Sequence, residues 1–466
     1  MEYREGAMVM SSNLLASGES PYSAQNQPIF SNNYGALYPL ICMPIIFFFG
    51  PNLILFRLVA AIFIWLTLLL LTIVLIKNKV PILYVFAGVL ILFASLLYST
   101  TPLIRPDSLG LFLFIASIFF PYLYKYSNKS LIASAILAVL GFYAKPYFIL
   151  AAPLLASSLL LIGLWKKGVI YSILAGGFFT LSFLIIKHGQ EFYFYNTLYV
   201  NMAAASNSRE YTILQLSKFI SINKGLLFAL GFSILCILYS ILTEKKNLIT
   251  NHYKSAWLPL SCLLVASLLT YFKLGGYNGA YMIYLFHLLT PFLIISALLL
   301  ASSLRNSLFY KIPLFIFLSL NIYSGFAFLP GFNCENEKEW NELESLTKEH
   351  KHILSSPVLS VTLLRNNKQI YDSGLTEYFY TGDDNNITSF FYNNEEKRKR
   401  LYDDLKNEIT KDVQQHNFDL IIFARGYERF VRKGILSENY KLEKTITLCL
   451  PHTMQKWELD VYKPKM

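Results

Sequence analysis

The feature that most constrains this chain is a series of long apolar stretches with almost no charged residues. The sequence has 466 residues, of which 55% are hydrophobic and 15% charged, whereas soluble proteins usually carry about 25% charged residues. A helix of about 20 residues crosses the hydrocarbon of a bilayer and satisfies its backbone hydrogen bonds internally. The sequence therefore predicts a polytopic membrane protein.

The apolar stretches predict about ten transmembrane helices. We place them at 53–76, 81–99, 108–124, 130–144, 147–164, 169–187, 224–243, 255–272, 285–304 and 312–328. The run 38–50 is too short to cross and is broken at Gly50-Pro51, so it predicts a helix at the membrane interface. The short span 130–144 meets the next one at Lys145-Pro146, and one broken helix pair is the alternative there.

Three regions follow from these patterns. Residues 1–52 are an outward first loop with the interfacial helix, 53–328 are the transmembrane bundle, and 329–466 are a small soluble α/β domain. Residues 1–37 are polar to mixed in composition, and we predict a structured loop there. A signal peptide would need an early basic segment followed by an apolar run, and this segment shows neither. In the C-terminal region we predict helices and strands from their periodicity, with helices at 335–352 and 393–415 and strands at 418–423, 440–449 and 456–462.

Positive charge sets the orientation. The net charge of +11 comes mostly from short alternate loops rather than from one patch, so we expect no nucleic-acid partner. These loops face the cytoplasm, and they contain Lys77, Lys79, Lys125, Lys129, Lys166, Lys167, Lys245, Lys246, Lys254, Arg305 and Lys311. The first loop and the C-terminal domain therefore face outward from an inner (plasma) membrane.

The five cysteines show neither a CxxC motif nor a Cys/His cluster with zinc spacing. We therefore expect no cysteine-based metal site. Cys334 and Cys449 both lie in the C-terminal domain, which we place on the oxidising side of the membrane. A disulfide between them can form there, and the sequence does not decide between the bonded and the free state.

At four places on the predicted outward side, charged or polar residues lie next to apolar helix ends. For each place the sequence allows a structural role and a functional role. Glu5 is either a solvated acid or a site residue at the start of an aromatic-rich loop. Arg105 and Asp107 are either an interfacial pair or a rigid polar site across Pro106. Lys145 needs an anion, either a phosphate or the carboxylate of Asp107.

The fourth place is the glycine-rich run 273–279, which contains Asn278, together with His287 in the next span. Glycines allow a backbone to approach a ligand closely, but they also simply form loops. His287 is either a site residue or an interhelical hydrogen-bonding residue.

In this order the motifs resemble the bacterial GT-C glycosyltransferases. This multi-span superfamily includes protein O-mannosyltransferases and the aminoarabinose transferase acting on lipid A. The likeness covers most of the chain and rests on Glu5-Gly6, Gly18, Tyr22, Tyr34 to Leu40, Phe49-Gly50-Pro51, Arg57-Leu58, Arg105 to Asp107, Lys145-Pro146 and Gly275 to Gly279. It implies an all-α membrane bundle with a small extracytoplasmic α/β domain. Members usually have a span before the acidic loop, so we expect eleven spans in the complete architecture.

The resemblance implies an inverting hexosyltransferase. Such an enzyme would transfer a sugar from a polyprenyl-phosphate donor to a glycan, lipid or protein acceptor. The donor and the enzyme would both lie in membrane lipid. Glu5 would be the general base, Arg105 and Lys145 would contact the donor phosphate, and the sugar-binding or organising residues would be Asp107, Tyr34, Asn278 and His287.

No cofactor is certain from the resemblance. Some members use a divalent cation in the first loop, where this chain has Glu2 and Glu19 besides Glu5, so metal dependence stays open. The competing functions are a transporter or flippase of lipid-linked sugars and a polysaccharide polymerase. A transporter would need an internal repeat with broken helices, and we find no such symmetry in the sequence.

Overall fold

The structure is a computed structural model that describes residues 3–100, 104–199, 208–244, 251–276, 283–303, 308–327, 336–371, 395–425, 431, 433–450 and 455–465. Its N-terminal and membrane part is helical. The helices are α1 Tyr3–Ala16, α2 Leu37–Phe49, α3 Leu53–Lys77, α4 Ile82–Thr100, α5 Asp107–Leu123, α6 Asn128–Ala144, α7 Ala151–Leu161, α8 Trp165–Gly189, α9 Arg209–Glu244, α10 Asn251–Leu274, α11 Ile283–Ser303 and α12 Leu308–Ala327.

Each of the ten predicted spans overlaps one of these helices, so the prediction of a helical membrane bundle is confirmed. Four stretches within the described residues are long and apolar enough to cross a membrane by length and composition, namely Leu53–Lys77, Trp165–Gly189, Arg209–Cys236 and Ala256–Leu274. In the other apolar helices, the part with described side chains is 10–17 residues long. Large apolar side chains point outward along these helices, as lipid contact requires.

The prediction of a loop for residues 1–37 is wrong in part, because residues 3–16 form the helix α1. Met8 and Val9 of α1 are buried in an apolar cluster with α2 and α3, and Met10 packs into the C-terminal domain. Gly6 lies directly against Ser360 and Pro357 of that domain. Because α1 is buried on two sides by distant parts of the chain, its own sequence shows no single apolar stripe.

The Lys145-Pro146 step joins two separate helices rather than one broken helix. After a 3₁₀ turn at Pro146–Leu150, α7 runs back toward the end from which α6 came. Leu160 near its end packs against Gly168 at the start of α8, and Tyr171 of α8 lies at hydrogen-bonding distance from Ser134 of α6.

The segment between the predicted spans 169–187 and 224–243 is also partly helical, because α9 begins at Arg209. Asn223 has non-helical backbone angles, φ −99° and ψ 15°, and kinks α9 there. Just after the kink, the Leu226 N–H donates to the side-chain oxygen of Asn321 at 2.7 Å. This bond satisfies a buried backbone donor next to the kink.

The C-terminal domain is a four-stranded sheet covered by helices. Its helices are α13 Glu337–Glu349, α14 Ser360–Arg365, α15 Glu395–Gln414 and α16 Lys433–Asn439, and its strands are β1 Ile353–Ser355, β2 Leu420–Ala424, β3 Tyr440–Leu450 and β4 Gln455–Pro464. The strand order is β1-β2-β4-β3, with β1 parallel to β2 and the other pairs antiparallel. The predicted small α/β domain is confirmed, although β1, α14 and α16 were not predicted.

A Cys334–Cys449 disulfide lies outside what the structure describes. Residue 334 and the side chain of residue 449 belong to the undescribed part of the chain.

Candidate active site

Glu5 stands in the first turn of α1 and is completely buried. Its carboxylate accepts two hydrogen bonds from the guanidinium of Arg57 in α3, from Nε at 2.9 Å and from Nη2 at 2.7 Å. The backbone N–H of Ile104 also donates to the carboxylate, at 3.1 Å. This two-point pairing fixes the orientation of a buried carboxylate and neutralises its charge.

Asp107 begins α5 and is the buried carboxylate of a second ion pair. The Lys145 ammonium lies 2.5 Å from Asp107 Oδ1, and the side chains are 13% and 2% exposed. Of the two anions that the sequence left open for Lys145, the structure therefore shows the internal carboxylate. The ammonium also lies 5.2 Å from the ring centre of Tyr34 and 6.0 Å from that of Tyr147, within cation–π range.

Local backbone geometry places Lys145 at this point. It directly follows α6 and has extended angles, φ −146° and ψ 131°, as expected for a residue before proline. The next turn inserts Phe148 against α5 and α6, where Gly110 and Gly141 leave room for the ring. Packing of Phe148 thus holds the Lys145 turn against the start of α5.

The aromatic segment before α2 closes over the same turn. Tyr34 receives a hydrogen bond on its carbonyl oxygen from the Tyr22 hydroxyl at 2.7 Å, and its own N–H donates to Asn32 at 3.0 Å. Gly35 lies directly on the backbone of Tyr143, where a Cβ atom would come within 1.8 Å of the carbonyl oxygen. Only glycine fits this close approach.

Replacing Gly35 with Ala is therefore expected to displace Tyr34 from Lys145 and to lower the thermal stability of the protein. The added methyl would overlap a backbone oxygen, which cannot rotate away as a side chain can. Thermal unfolding of the purified protein measures the loss. Gly177→Ala is the matched control, because a Cβ there meets nothing within 4 Å, and it should unfold like the unmodified protein. Equal unfolding temperatures for both variants would contradict the packing described here.

The remaining predicted residues gather around Asp107, except for one. Arg105 and His287 are both buried and act electrostatically on the Asp107 carboxylate. Within the described part of the chain, neither ring nitrogen of His287, the Tyr147 hydroxyl nor Asp107 Oδ2 has a hydrogen-bond partner. Buried polar atoms without partners are costly, so these groups mark a place suited to a polar ligand. Asn278 lies outside the described residues.

The two ion pairs meet on one short segment. Glu5 is held by the N–H of Ile104, and Asp107 follows three residues later, at most about 10 Å away along the chain. Residues that are far apart in sequence, in α1, α3, α5 and the turn after α6, therefore converge at one end of the bundle. The C-terminal domain covers this end through the contact of Gly6 with Ser360.

The described acids of the first segment pair with other protein groups. The Glu5 carboxylate accepts from Arg57 and from a backbone N–H, and Glu19 accepts from the amide of Asn26 at 3.2 Å. Glu2 lies outside the described residues. Among the residues that the structure describes, no group of three or more His, Cys, Asp or Glu side chains could hold a metal ion.

The fold can be compared with known structures. It is similar to that of ArnT from Cupriavidus metallidurans, which was solved bound to undecaprenyl phosphate, with a TM-score of 0.55 over 98% of this chain and 93% of that chain, at 10% identity. The chain has a GT-C-like fold. A likeness to the Archaeoglobus fulgidus oligosaccharyltransferase, crystallised with Zn and sulfate, has a TM-score of 0.42, 11% identity and coverage of 90% of this chain and 63% of that chain. That score is too low to support an argument. Neither a protein-family model nor a curated protein sequence matches the chain.

Within this GT-C-like fold, sequence reasoning had not assigned a role to Arg57 or to Tyr147. Arg57 is the single charge in the otherwise uncharged stretch 53–76, and a lone cation in a span usually has a partner. That signal was available, but the partner, Glu5, lies 52 residues away in sequence.

Proposed function

We propose that this chain is a membrane glycosyltransferase that transfers a sugar from a polyprenyl-phosphate donor to an acceptor hydroxyl at the outer face of the membrane. One observation carries the proposal: in a GT-C-like fold, two ion pairs with buried carboxylates, Glu5–Arg57 and Asp107–Lys145, meet on the segment 104–107. The likeness to a structure that holds undecaprenyl phosphate supports the choice of donor. The donor sugar is a hexose in this proposal, as the sequence resemblance implies.

In the reaction the acceptor hydroxyl attacks the anomeric carbon of the donor. A bond forms between the acceptor oxygen and that carbon, while the bond from the carbon to the phosphate oxygen breaks. The electron pair leaves with the lipid phosphate, and the acceptor proton passes to Glu5. A positioned carboxylate accelerates such a proton transfer about 10²- to 10⁴-fold. This single displacement inverts the anomeric configuration.

Basic residues near Asp107 stabilise the departing phosphate. Lys145 and Arg105 are held there before substrate binds, and fixed cations are most effective in a site from which water is excluded. An ammonium has three donors, so Lys145 can bind a phosphate oxygen while it stays on Asp107. Asp107, Tyr34, His287 and Asn278 are proposed to bind or orient the sugar.

Glu5 is closed off in the structure, because both carboxylate oxygens face Arg57 or Ile104. The acceptor hydroxyl must therefore reach it in the substrate complex through a small rearrangement of α1 or Arg57. Hydrogen bonds of catalytic groups commonly tighten or shift when substrate binds.

An assay in proteoliposomes distinguishes this function from transport. The proteoliposomes contain the purified chain and a polyprenyl-phosphate sugar whose sugar carries the label. Transfer of label to an added acceptor on the outer face supports the proposal. Movement of the labelled donor across the bilayer without any transfer would instead identify a flippase. Empty liposomes and liposomes with heat-denatured protein give the background for both measurements.

A further inference from the structure

Helix α1 is buried all round next to Glu5. Every residue from 5 to 12 is buried, whereas a surface helix normally leaves one face in water. Met8 packs into the apolar cluster that also contains Phe56 of α3. Met10 packs instead into the apolar core of the C-terminal domain. Two separate parts of the chain therefore hold the helix that carries the proposed base.

The C-terminal domain meets α1 at the residue that follows Glu5. A Cβ atom on Gly6 would overlap Ser360 Oγ and would lie 3.3 Å from the carbonyl oxygen of Pro357 and 3.4 Å from Ser360 Cβ. Ser360 is 1% exposed, and its hydroxyl donates to the same carbonyl oxygen at 2.8 Å. A glycine on α1 allows this close approach. The contact therefore lies one residue away from the Glu5 carboxylate.

Buried polar contacts hold α1 on the side of the bundle. The Ser12 hydroxyl donates to the carbonyl oxygen of Pro39 in α2 at 3.1 Å. The Ser11 hydroxyl accepts a hydrogen bond from the amide of Asn32 at 2.9 Å. A shift of α1 would break these bonds and leave buried polar atoms without partners, which is costly. We therefore expect α1 to keep its place during the reaction.

Arg57, the partner of Glu5, is less enclosed. Its side chain is 38% exposed, whereas that of Glu5 is fully buried. Ile54 and Leu58, which lie near it on α3, are 77% and 53% exposed, so this side of α3 faces away from the rest of the described chain. A long basic side chain can extend over apolar surface until its charge reaches the interface. Arg57 can therefore turn away while α1 stays in place.

We infer that the C-terminal domain positions Glu5 through the contact of Ser360 with Gly6, and that Arg57, not α1, moves to admit the acceptor hydroxyl. The inference rests on the proposed function, in which Glu5 takes the acceptor proton. Ser360 is a positioning residue, because it acts on Glu5 through Gly6. The proposed phosphate contacts, Lys145 and Arg105, lie outside α1. Loss of the contact should therefore slow the chemical step and leave donor binding unchanged.

Gly6→Ala measures the positioning effect. The added methyl overlaps Ser360 Oγ, so we expect a displaced Glu5 and a kcat about 10- to 100-fold lower, with an unchanged KM for the donor. Ser360→Ala in the same protein removes the overlapping oxygen and should restore most of kcat. Gly434→Ala is the control, because a Cβ there meets nothing within 4 Å. An unchanged kcat in Gly6→Ala, or no recovery with Ser360→Ala, would overturn the role of Ser360.

A disulfide between positions 6 and 360 tests the contact without turnover. The Cβ separation of 3.4 Å is close to the mean of about 3.8 Å in disulfides. Gly6→Cys combined with Ser360→Cys should therefore crosslink when the purified full-length protein is oxidised, as shown by mass spectrometry of its peptides. The two single variants are the controls. A folded double variant that does not crosslink would overturn the contact.

Sugar transfer by the crosslinked protein tests which group moves. We expect the same rate in proteoliposomes before and after the disulfide is reduced, with the unmodified protein given the same oxidant and reductant. A crosslinked protein that is inactive and recovers on reduction would overturn the inference, because α1 would then have to move. If the unmodified chain transfers no sugar, the proposed function fails, while formation of the crosslink still decides whether the contact exists.

Discussion

Replacing Glu5 with Gln is expected to lower the rate of sugar transfer about 10²- to 10⁴-fold while the protein still folds. The amide has nearly the shape of the carboxylate but cannot accept the acceptor proton. Arg57, which loses its anionic partner, is partly exposed and can turn toward the interface. Initial rates in proteoliposomes measure the effect, and thermal unfolding shows whether the fold is kept.

Glu19→Gln is the matched control for this prediction, because Glu19 lies in the same first segment but is exposed. It should transfer sugar at the unmodified rate. Full activity of Glu5→Gln would remove Glu5 from the role of base. A Glu5→Gln protein that fails to fold would show that the carboxylate is needed for structure, and Glu5→Asp would then measure the catalytic part.

Replacing Lys145 with Met is expected to destabilise the protein by about 3–5 kcal/mol and to stop transfer. The substitution leaves the Asp107 carboxylate buried without the ammonium that now lies 2.5 Å away, and an uncompensated buried charge is strongly unfavourable. The lost cation would also leave the departing phosphate less stabilised. Unfolding of the purified protein in detergent measures the first effect, and the proteoliposome assay measures the second.

Two further variants separate stability from catalysis at this pair. Lys145→Met combined with Asp107→Asn removes both charges, so it should recover much of the lost stability but none of the transfer. Lys129→Met changes an exposed lysine and should alter neither property. A Lys145→Met protein as stable as the original would contradict the buried ion pair.

The membrane architecture could be predicted from the sequence because it depends on local composition. An apolar stretch of about 20 residues must form a helix in a bilayer wherever it stands in the chain. The same holds for the strand at Leu420–Ala424, a compact apolar run that is buried throughout. The GT-C-like fold was likewise implied by motifs in a fixed order.

Features that depend on distant partners could not be predicted. α1 is buried between the bundle and the C-terminal domain. Its apolar residues therefore face two different neighbours and do not form one apolar stripe. The kink of α9 at Asn223 lies next to a hydrogen bond with Asn321, far away in sequence. The strand β1 has only three residues and is defined by its pairing with β2 rather than by its own pattern.

The candidate site shows the same division. Glu5, Asp107 and Lys145 could be singled out because charges beside apolar helix ends are rare. That Arg57 pairs with Glu5, and that Ile104 links this pair to Asp107, depends on how α1, α3 and α5 pack.

In the proposed reaction this chain splits a polyprenyl-phosphate sugar and joins the sugar to an acceptor. The most direct measurement follows both products together in proteoliposomes, with a donor labelled separately in its sugar and in its lipid. We expect the unmodified chain to form equal amounts of glycosylated acceptor and free polyprenyl phosphate, and Glu5→Gln to form almost none of either. If the donor stays intact in the presence of an acceptor and of folded protein in the membrane, the chain does not catalyse this transfer.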